Sequence, residues 1–464
     1  MLRLFGHHIP RSLLLLLALE TLTLLFSFAL ARAWFSAHSL ADAVGSLGEG
    51  GMLPAAVLLG SMQLAGLHDD HAAEGMLGMG LRLLGAFAAG VLGLMALALV
   101  GVDVTDNGRW IAGGVLLALA LISVERICLF RWMFFDRFRR RVLVLGSGAR
   151  AQEVERLIDD LPSGRRFQLL GYLADAPDAP RPTRSSRPVW YLPQEGGLLD
   201  FARRHRVDEV VVAVRERRGK LPVQQLLECK LNDIRVNDVS SFMEREAGEI
   251  RLDSLNASWL IFHDGFLRGG LGSFLKRCVD VCASLVLLIP ALPVMALAAL
   301  AIKLEDGGPV LFTQRRVGQH GRTFLLCKLR SMRVDAESQG ACWAAENDRR
   351  VTWVGGFIRK TRIDELPQII NVLRGEMSFV GPRPERPEFV SELTREIPFF
   401  GARHSVKPGI TGWAQVRYPY GASIKDSRRK LEYDLYYIKN YSIFLDALIL
   451  LHTIRVVVSA RGAR

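Results

Sequence analysis

The sequence predicts a membrane protein of mixed class in three parts. These are an N-terminal bundle of four transmembrane helices, a doubly wound α/β middle domain, and a C-terminal domain that opens on a helical hairpin dipping into the membrane. Three observations predict this. Of the 464 residues 50% are apolar, and the mean hydropathy is positive, which is high for a chain dissolved wholly in water. Apolar runs close to membrane length occur four times before residue 131 and once more after residue 276. Between them, β-branched runs alternate with helix-like stretches, the pattern of a parallel sheet covered by helices.

The net charge of +12 is spread as short Arg and Lys clusters beside the apolar runs and across the C-terminal half, which points to lipid head groups or phosphates as partners. The six cysteines form no Cys-x-x-Cys pair and no dense framework, so they indicate neither a zinc site nor a disulfide scaffold. No small-residue cleavage site follows the first apolar run, which is therefore expected to stay as an anchor.

The transmembrane region covers 1–135. Its apolar segments run 12–31, 52–67, 76–102 and 110–130, the second being the shortest, and a membrane helix needs ~20 residues. Arg3 and Arg11 precede the first segment, and Arg131, Arg137, Arg139, Arg140 and Arg141 follow the fourth. The loop 36–51 carries Asp42 and Glu49 and no Lys or Arg. The excess of cations at both ends puts both in the cytoplasm.

The next stretch, "RRRVLVLGSGARAQEVERLI", reads as a strand, the turn Gly146-x-Gly148-x-x-Ala151 and a helix, which is a βα unit of nucleotide-binding type. "FQLLGYLAD" and "VDEVVVAV" continue the strand pattern, so 141–250 reads as a Rossmann-like, CoA-binding-like domain. Asp175 lies near where a ribose-binding acid would follow such a turn, and the loop 176–187 holds three prolines. A strand-to-helix corner without a ligand has the same pattern, so no cofactor is assigned to this domain.

From Lys276 the chain reads "KRCVDVCASLVLLIPALPVMALAALAIKLEDGGP". Pro290 and Pro293 each remove a backbone donor and crowd the preceding turn, which predicts a bend or break. Lys276 and Arg277 precede the run, and Lys303, Arg315 and Arg316 follow it. Basic flanks on both sides favour a re-entrant helix over 276–303 against a fifth crossing. Asp280 is expected to pair with Lys276 or Arg277. The closing stretch "NYSIFLDALILLHTIRVVVSARGAR", interrupted by Asp446, His452 and Arg455, predicts a helix lying in the interface, with a buried helix as the alternative.

The stretch "RKTRIDELPQIINVLRGEMSFVGPRPERPEF" begins at Arg359. Proline is at ease only in the first helical turn, so Pro367 predicts a helix with Asp364 at its N-cap, Glu365 and Leu366 in its first turn and Gly375 at its end. Such a start suits a phosphate and ionised carboxylates. Arg359, Lys360 and Arg362 stand just upstream, "CKLRSM" brings Lys328 and Arg330, and Arg383 lies between Pro382 and Pro384. An ionised aspartate among cations, with a glutamate beside it as a hard ligand for Mg²⁺, is the set that phosphoryl transfer through an aspartyl-phosphate needs. Helix capping alone accounts for an Asp-Glu pair too, and both readings stand at this point. His404 is expected at the surface, and Gly409, Gly412, Trp413 and Gln415 are divided evenly between a structural turn and a substrate-facing loop.

From Lys276 onward the sequence resembles the bacterial sugar transferase domain, the catalytic part of polyprenyl-phosphate glycosylphosphotransferases. The resemblance rests on "KRCVDV", "GPVLFTQRRVG", "KLRSMRVDAE", the stretch from Arg359, "RHSVKPGITGWAQV" and "LEYDLYYIKNYS", in that order. The four spans and the middle domain resemble the large polytopic members of exopolysaccharide loci associated with exosortase systems. The resemblance implies an α-rich catalytic domain over 272–464. It implies transfer of a sugar-1-phosphate from a UDP-sugar, UDP-glucose by family habit, to undecaprenyl phosphate, with release of UMP. Asp364 is then the nucleophile and Glu365 the Mg²⁺ ligand. Lys328 and Arg359 contact phosphate within a substrate-binding set that includes Arg330 and Arg362, and Arg383 helps to hold the nucleotide. The family's membrane hairpin matches the Pro290 and Pro293 region, although Leu292 stands where many members carry Ser. The implied setting is the bacterial inner membrane, with the middle and catalytic domains facing the cytoplasm; a homodimer is compatible with it.

The alternative is a membrane-bound NAD-dependent sugar-nucleotide dehydratase, which needs a second dinucleotide-binding domain with a Tyr-x-x-x-Lys pair. After residue 270 there is no Gly-x-x-Gly-x-x-Gly run and no Tyr four residues before a Lys. A nucleic-acid-binding module would use the basic charge but leaves the grouping of Asp364, Glu365, Arg359 and Arg383 without a purpose.

Overall fold

The computed structural model describes residues 2–4, 7–9, 11–36, 51–68, 75–99, 108–133, 139–160, 167–174, 187–191, 197–214, 221–254, 270–336, 348–418, 421 and 423–458. They divide into two compact units, His8–Ala247 and Gly248–Arg464.

The first unit begins with helices α1 (Arg11–Ser36), α2 (Met52–Leu64), α3 (Gly75–Leu99) and α4 (Gly108–Met133). Helices α1, α3 and α4 are long and apolar enough to cross a membrane. Helix α2 is not: its 13 residues reach about 20 Å against a hydrocarbon core of about 30 Å. The expected second span therefore shortens to an apolar helix that stops before Gly66, whose φ of 72° only glycine adopts freely. Leu24, Phe28, Leu58, Met62, Phe87 and Ile122 form the bundle core, and Gly114 leaves room for the Phe28 ring against the α4 backbone. Inside this apolar packing lies a polar cluster. Glu20 is fully buried and meets Arg126 and His68, each at 2.6 Å, while Arg126 also donates to the Leu67 carbonyl at 2.7 Å.

The same unit continues as β1 (Arg140–Leu145), α5 (Ala149–Asp160), β2 (Phe167–Ala174), β3 (Val189–Tyr191), α6 (Gly197–Arg204), β4 (Glu209–Val212), α7 (Val223–Leu231), β5 (Arg235–Asp238) and α8 (Val239–Ala247). The five strands make one parallel sheet in the order β3-β2-β1-β4-β5. Side chains alternate across a strand, so Val142 and Val144 enter one core while Leu143 and Leu145 enter the other. That two-sided burial is why β1 reads as an unbroken apolar run. Asp175 and residues 176–186 lie outside the described residues.

The second unit opens on α9 (Gly270–Asp306), a helix of 37 residues that contains both Pro290 and Pro293 and is also long and apolar enough to cross. It continues through the antiparallel hairpin β6 (Leu311–Val317) and β7 (Thr323–Leu329), α10 (Trp353–Lys360), α11 (Gln368–Arg374), β8 (Ser378–Val380) and α12 (Pro387–Glu396). The last elements are β9 (Gly409–Thr411), which pairs in parallel with β8, then α13 (Trp413–Arg417), α14 (Ile424–Lys439) and α15 (Ile443–Val458). Its core gathers Phe379, Phe400, Trp413, Leu431, Leu435, Tyr436 and Ile438. Helix α14 supplies the last four from a buried face and starts on a capping box between Ser423 and Asp426.

Both ends of α9 are fastened within this one unit. At the first end, Lys276 donates to Asp446 at 2.5 Å and to the Val380 carbonyl at 3.2 Å. Arg277 donates to the carbonyls of Val372 and Leu373 at 2.6 and 2.7 Å, satisfying groups that the end of α11 leaves open. Asp280 accepts from Ser378 Oγ and Phe379 N, at 3.0 and 3.2 Å, and so does not form the expected pair with Lys276 or Arg277. At the other end, Ala298 and Ile302 pack with Leu329 and Ile358, Glu305 accepts from Trp353 N at 2.8 Å, and Asp306 pairs with Arg330. Leu285, Val286, Ile289, Leu292 and Leu297 between them are exposed. Helix α15 buries one face in the core, with Leu445 and Ile449 fully buried and Asp446 paired with Lys276, while Ile443, Leu451 and Ile454 are exposed.

Candidate active site

Lys328 comes from β7, whose place is set by Asn371. That buried amide, on α11, donates to Leu325 O at 2.7 Å and accepts from Cys327 N at 3.1 Å, so the strand and the helix share one register. The chain enters α11 through Arg362, held at φ 58°, and a 3₁₀ turn over Ile363–Glu365. Pro367, not Asp364, occupies the N-cap, and no side chain caps the helix. Ile363 packs against the cluster of Ala298 and Ile302, and the tight turn carries both carboxylates inward. Gly375 ends α11 at φ 82°, as its sequence position predicts.

Three cations converge on one oxygen of Glu365. Lys328 Nζ lies 2.9 Å from Oε1, Arg383 Nη2 3.1 Å and Arg362 Nη1 3.5 Å. Lys328 is also 3.7 Å from Asp364 Oδ2. Asp364 and Glu365 are 6% and 7% exposed, and Asp364 Oδ1 is buried without a hydrogen-bond partner. The two neighbours shift in opposite directions. Burial, joined by the charge of Glu365, raises the carboxyl of Asp364 above its ordinary value, against the pull of Lys328. Burial pushes Glu365 up as well, but Lys328, Arg383 and Arg362 together outweigh it and hold the carboxyl well below the usual range. Glu365 therefore stays a fixed anion, and Asp364 is the more basic carboxylate with an open lone pair.

Arg383 is aimed from both sides. Its Nη1 donates to Gln415 Oε1 at 3.0 Å, and its carbonyl accepts from Arg403 Nη2 at 2.9 Å. Arg403 in turn bonds Asp434 at 2.9 Å; burial pushes that carboxyl up to about 6 even beside Arg403. Asn371, Arg403 and Asp434 were absent from the sequence-based set, and only Asn371, a polar residue inside "IINVL", carried a local signal. His404 is half-buried, and burial with the charge of Arg403 lowers it to about 4, so the imidazole is neutral.

The structure brings Lys328, Arg362, Asp364, Glu365 and Arg383 together, and it does not bring Arg330 or Arg359 to them. Arg330 is 6% exposed and paired with Asp306. Arg359 is half-buried on α10, where its charge favours the ionised form of Asp348. Among the described residues no group of three or more His, Cys, Asp or Glu forms a metal cage. The pair nevertheless fits Mg²⁺, which takes one or two carboxylates and completes its shell with phosphate oxygens and water; the partnerless Asp364 Oδ1 is the observation that fits.

A buried carboxylate with an open oxygen, backed by fixed cations, is chemistry suited to phosphate groups. The model of the bacterial sugar transferase family matches residues 271–460. A UDP-N-acetylgalactosamine-undecaprenyl-phosphate N-acetylgalactosaminephosphotransferase of Aeromonas hydrophila is 46% identical over 239 residues, 52% of this chain and 56% of the relative. A UDP-glucose:undecaprenyl-phosphate glucose-1-phosphate transferase of Escherichia coli is 35% identical over 283 residues, 57% of this chain and 60% of the relative. An undecaprenyl-phosphate glucose phosphotransferase of Komagataeibacter xylinus is 33% identical over 377 residues, 78% of this chain and 67% of the relative. The chain thus spans somewhat over half the length of the first two. It belongs to the bacterial sugar transferase family, the polyprenyl-phosphate glycosylphosphotransferases.

Proposed function

We propose that the protein transfers a sugar-1-phosphate from a UDP-sugar to undecaprenyl phosphate at the cytoplasmic face of the bacterial inner membrane, as the first membrane step of exopolysaccharide assembly. The observation that carries the reading is the open, buried Oδ1 of Asp364 beside a Glu365 held anionic by three cations. Asp364 attacks the sugar-bearing phosphorus, an O–P bond forms, and the bond to UMP breaks. An oxygen of undecaprenyl phosphate then attacks the same phosphorus, and the bond to Asp364 breaks, returning the carboxylate. Neither step needs a proton acceptor, because both nucleophiles arrive as anions.

Lys328, Arg362 and Arg383 neutralise the diphosphate as negative charge moves onto UMP. Asp364 and Glu365 are the residues that would hold Mg²⁺, which neutralises phosphate oxygens when bound. The re-entrant course of α9 is part of the proposal. Its support is that Lys276 and Asp306 both bond within one unit, whereas a crossing helix separates its ends by the ~30 Å of hydrocarbon. UDP-glucose is the substrate expected from the sequence, and UDP-N-acetylgalactosamine is the rival that the 46%-identical relative's name suggests.

The test incubates membranes containing the protein with undecaprenyl phosphate, Mg²⁺ and either UDP-glucose or UDP-N-acetylgalactosamine, and follows UMP. Wild type releases UMP with one of them, and Asp364→Asn loses at least about a thousandfold in rate, the scale of a missing nucleophile. An undiminished Asp364→Asn rate sinks the covalent step; no UMP from either sugar nucleotide sinks both substrates.

A further inference from the structure

The family match begins at residue 271, but the second unit begins at Gly248. Residues 248–254 are built into that unit. Ile250 and Leu252 are buried in its core, Ile250 N donates to the Glu432 carbonyl at 3.0 Å, and Leu252 N donates to Glu432 Oε1 at 3.1 Å. Glu249 is fully buried and gripped by both terminal nitrogens of Arg429, at 2.9 and 2.7 Å, with Arg251 Nε at 2.9 Å. A carboxylate is buried at tolerable cost only when it is paired this closely, so the segment has one seat.

What that seat holds is Trp413. Its indole N–H donates to the Gly248 carbonyl at 2.7 Å, its ring stacks on Tyr436 at 5.8 Å, and it is 1% exposed. Gly248 sits at φ 67° with the indole against it, a place where a side chain would meet both backbone strain and the ring. Trp413 opens α13, whose five residues are too few to fix their own direction without outside anchors. Its anchors include the backbone bond from Gly381 N to Thr411 O at 2.9 Å, the bond from Gln415 Nε2 to Ile410 O at 3.3 Å and the Trp413 side chain. Two residues along α13 stands Gln415, which accepts from Arg383, and Arg383 reaches Glu365.

We propose that residues 248–254, ahead of the family match, are a positioning element of the active site. By seating Trp413 they set Gln415, and through it the angle at which Arg383 meets the nucleotide phosphates. The inference rests on reading Arg383 as a nucleotide contact.

The test uses the full-length purified protein and UDP as the probe, with affinity measured by calorimetry beside the UMP-release assay. Trp413→Phe keeps the stacked ring and removes only the donor to Gly248. Glu249→Gln loosens the segment and leaves Trp413 untouched. Each is expected to weaken UDP binding about three- to tenfold, the range for one lost hydrogen bond. In an Arg383→Ala background both changes should have no further effect, because their route is already cut. Glu392→Ala, at an exposed position of α12 outside this segment, should bind UDP as wild type does. Unaltered UDP affinity in folded Trp413→Phe and Glu249→Gln overturns the proposal, as does a full-sized effect without Arg383; a purely structural role would lower the melting temperature alone. Failure of the reaction itself is seen separately, as wild type that binds UDP and releases no UMP.

Discussion

At the scale of single residues, the site works by splitting two adjacent carboxylates. Glu365 gathers the cations and stays ionised, and Asp364, equally buried but with less of their charge to offset it, keeps the higher proton affinity and the open oxygen. A protonated carboxyl is not a nucleophile, so the acid limb of the rate should lie above 3.8, the ordinary aspartate value. Glu365→Gln removes a like charge, which favours ionisation of Asp364. The limb of the residual activity should then move to lower pH, measured as UMP release from about pH 3 to about pH 8, a span that brackets the ordinary carboxylate range. A limb that stays in place refutes the coupling. The stability sign is opposite for the two. Glu365, with its folded value depressed, stabilises the fold above 4.5 and loses that contribution as the pH falls further; Asp364, with its value raised, costs stability once it ionises. The sequence named five of the residues that meet here because carboxylates, Arg and a proline-bracketed turn are local signals. It grouped Arg330 with Lys328, and the structure gives the two different partners for a physical reason. Lys328 and Arg330 share a face on an ideal strand, but β7 ends at Leu329, and Arg330 leaves the ladder for Asp306.

At the scale of elements, α9 is long and apolar enough to cross a membrane, and it also fixes the helix that follows the Ile363–Glu365 turn. Arg277 reaches the last carbonyls of α11, and Asp280 holds β8, so the membrane helix and the catalytic helix are one rigid piece at that end. Each interior proline costs a helix about 3 kcal/mol, and their presence is explained if the helix has to bend. Replacing both Pro290 and Pro293 with Ala should straighten α9 into a rod of about 55 Å that no longer returns to the side it entered from. In a cysteine-free background, cysteines at the exposed positions Asp253 and Asp335 should label from one side of the membrane. The double alanine variant should move part of the Asp335 signal to the other side and lose UMP release in proportion. Labelling of the two wild-type positions from opposite sides excludes the hairpin. The sequence located the prolines and the basic flanks but not the docking, because Asp280 and Lys276 choose partners about a hundred residues or more away: Ser378, Val380 and Asp446.

At the scale of the whole chain, what was legible is what is written locally: hydropathy marks the membrane helices, and β-branched runs mark the sheet. Contacts such as Glu20 to His68, 48 residues apart, or Glu249 to Arg429, 180 apart, leave no periodic trace and appear only in three dimensions. The Glu20 cluster also allows the two units to be separated by function. Glu20 is fully buried in an apolar bundle and is the acid that answers Arg126 at 2.6 Å. Glu20→Ala leaves that guanidinium in an apolar bundle with a broken pair, a loss of about 3–5 kcal/mol. Among the described residues, the cations that meet Asp364 and Glu365 come instead from Gly248–Arg464. Glu20→Ala should therefore lower the temperature at which the detergent-solubilised protein loses its helical signal, while UMP release per folded molecule in membranes stays near wild type. A variant that folds normally yet loses turnover would mean that the bundle takes part in the reaction, and the division of labour between the two units would fail.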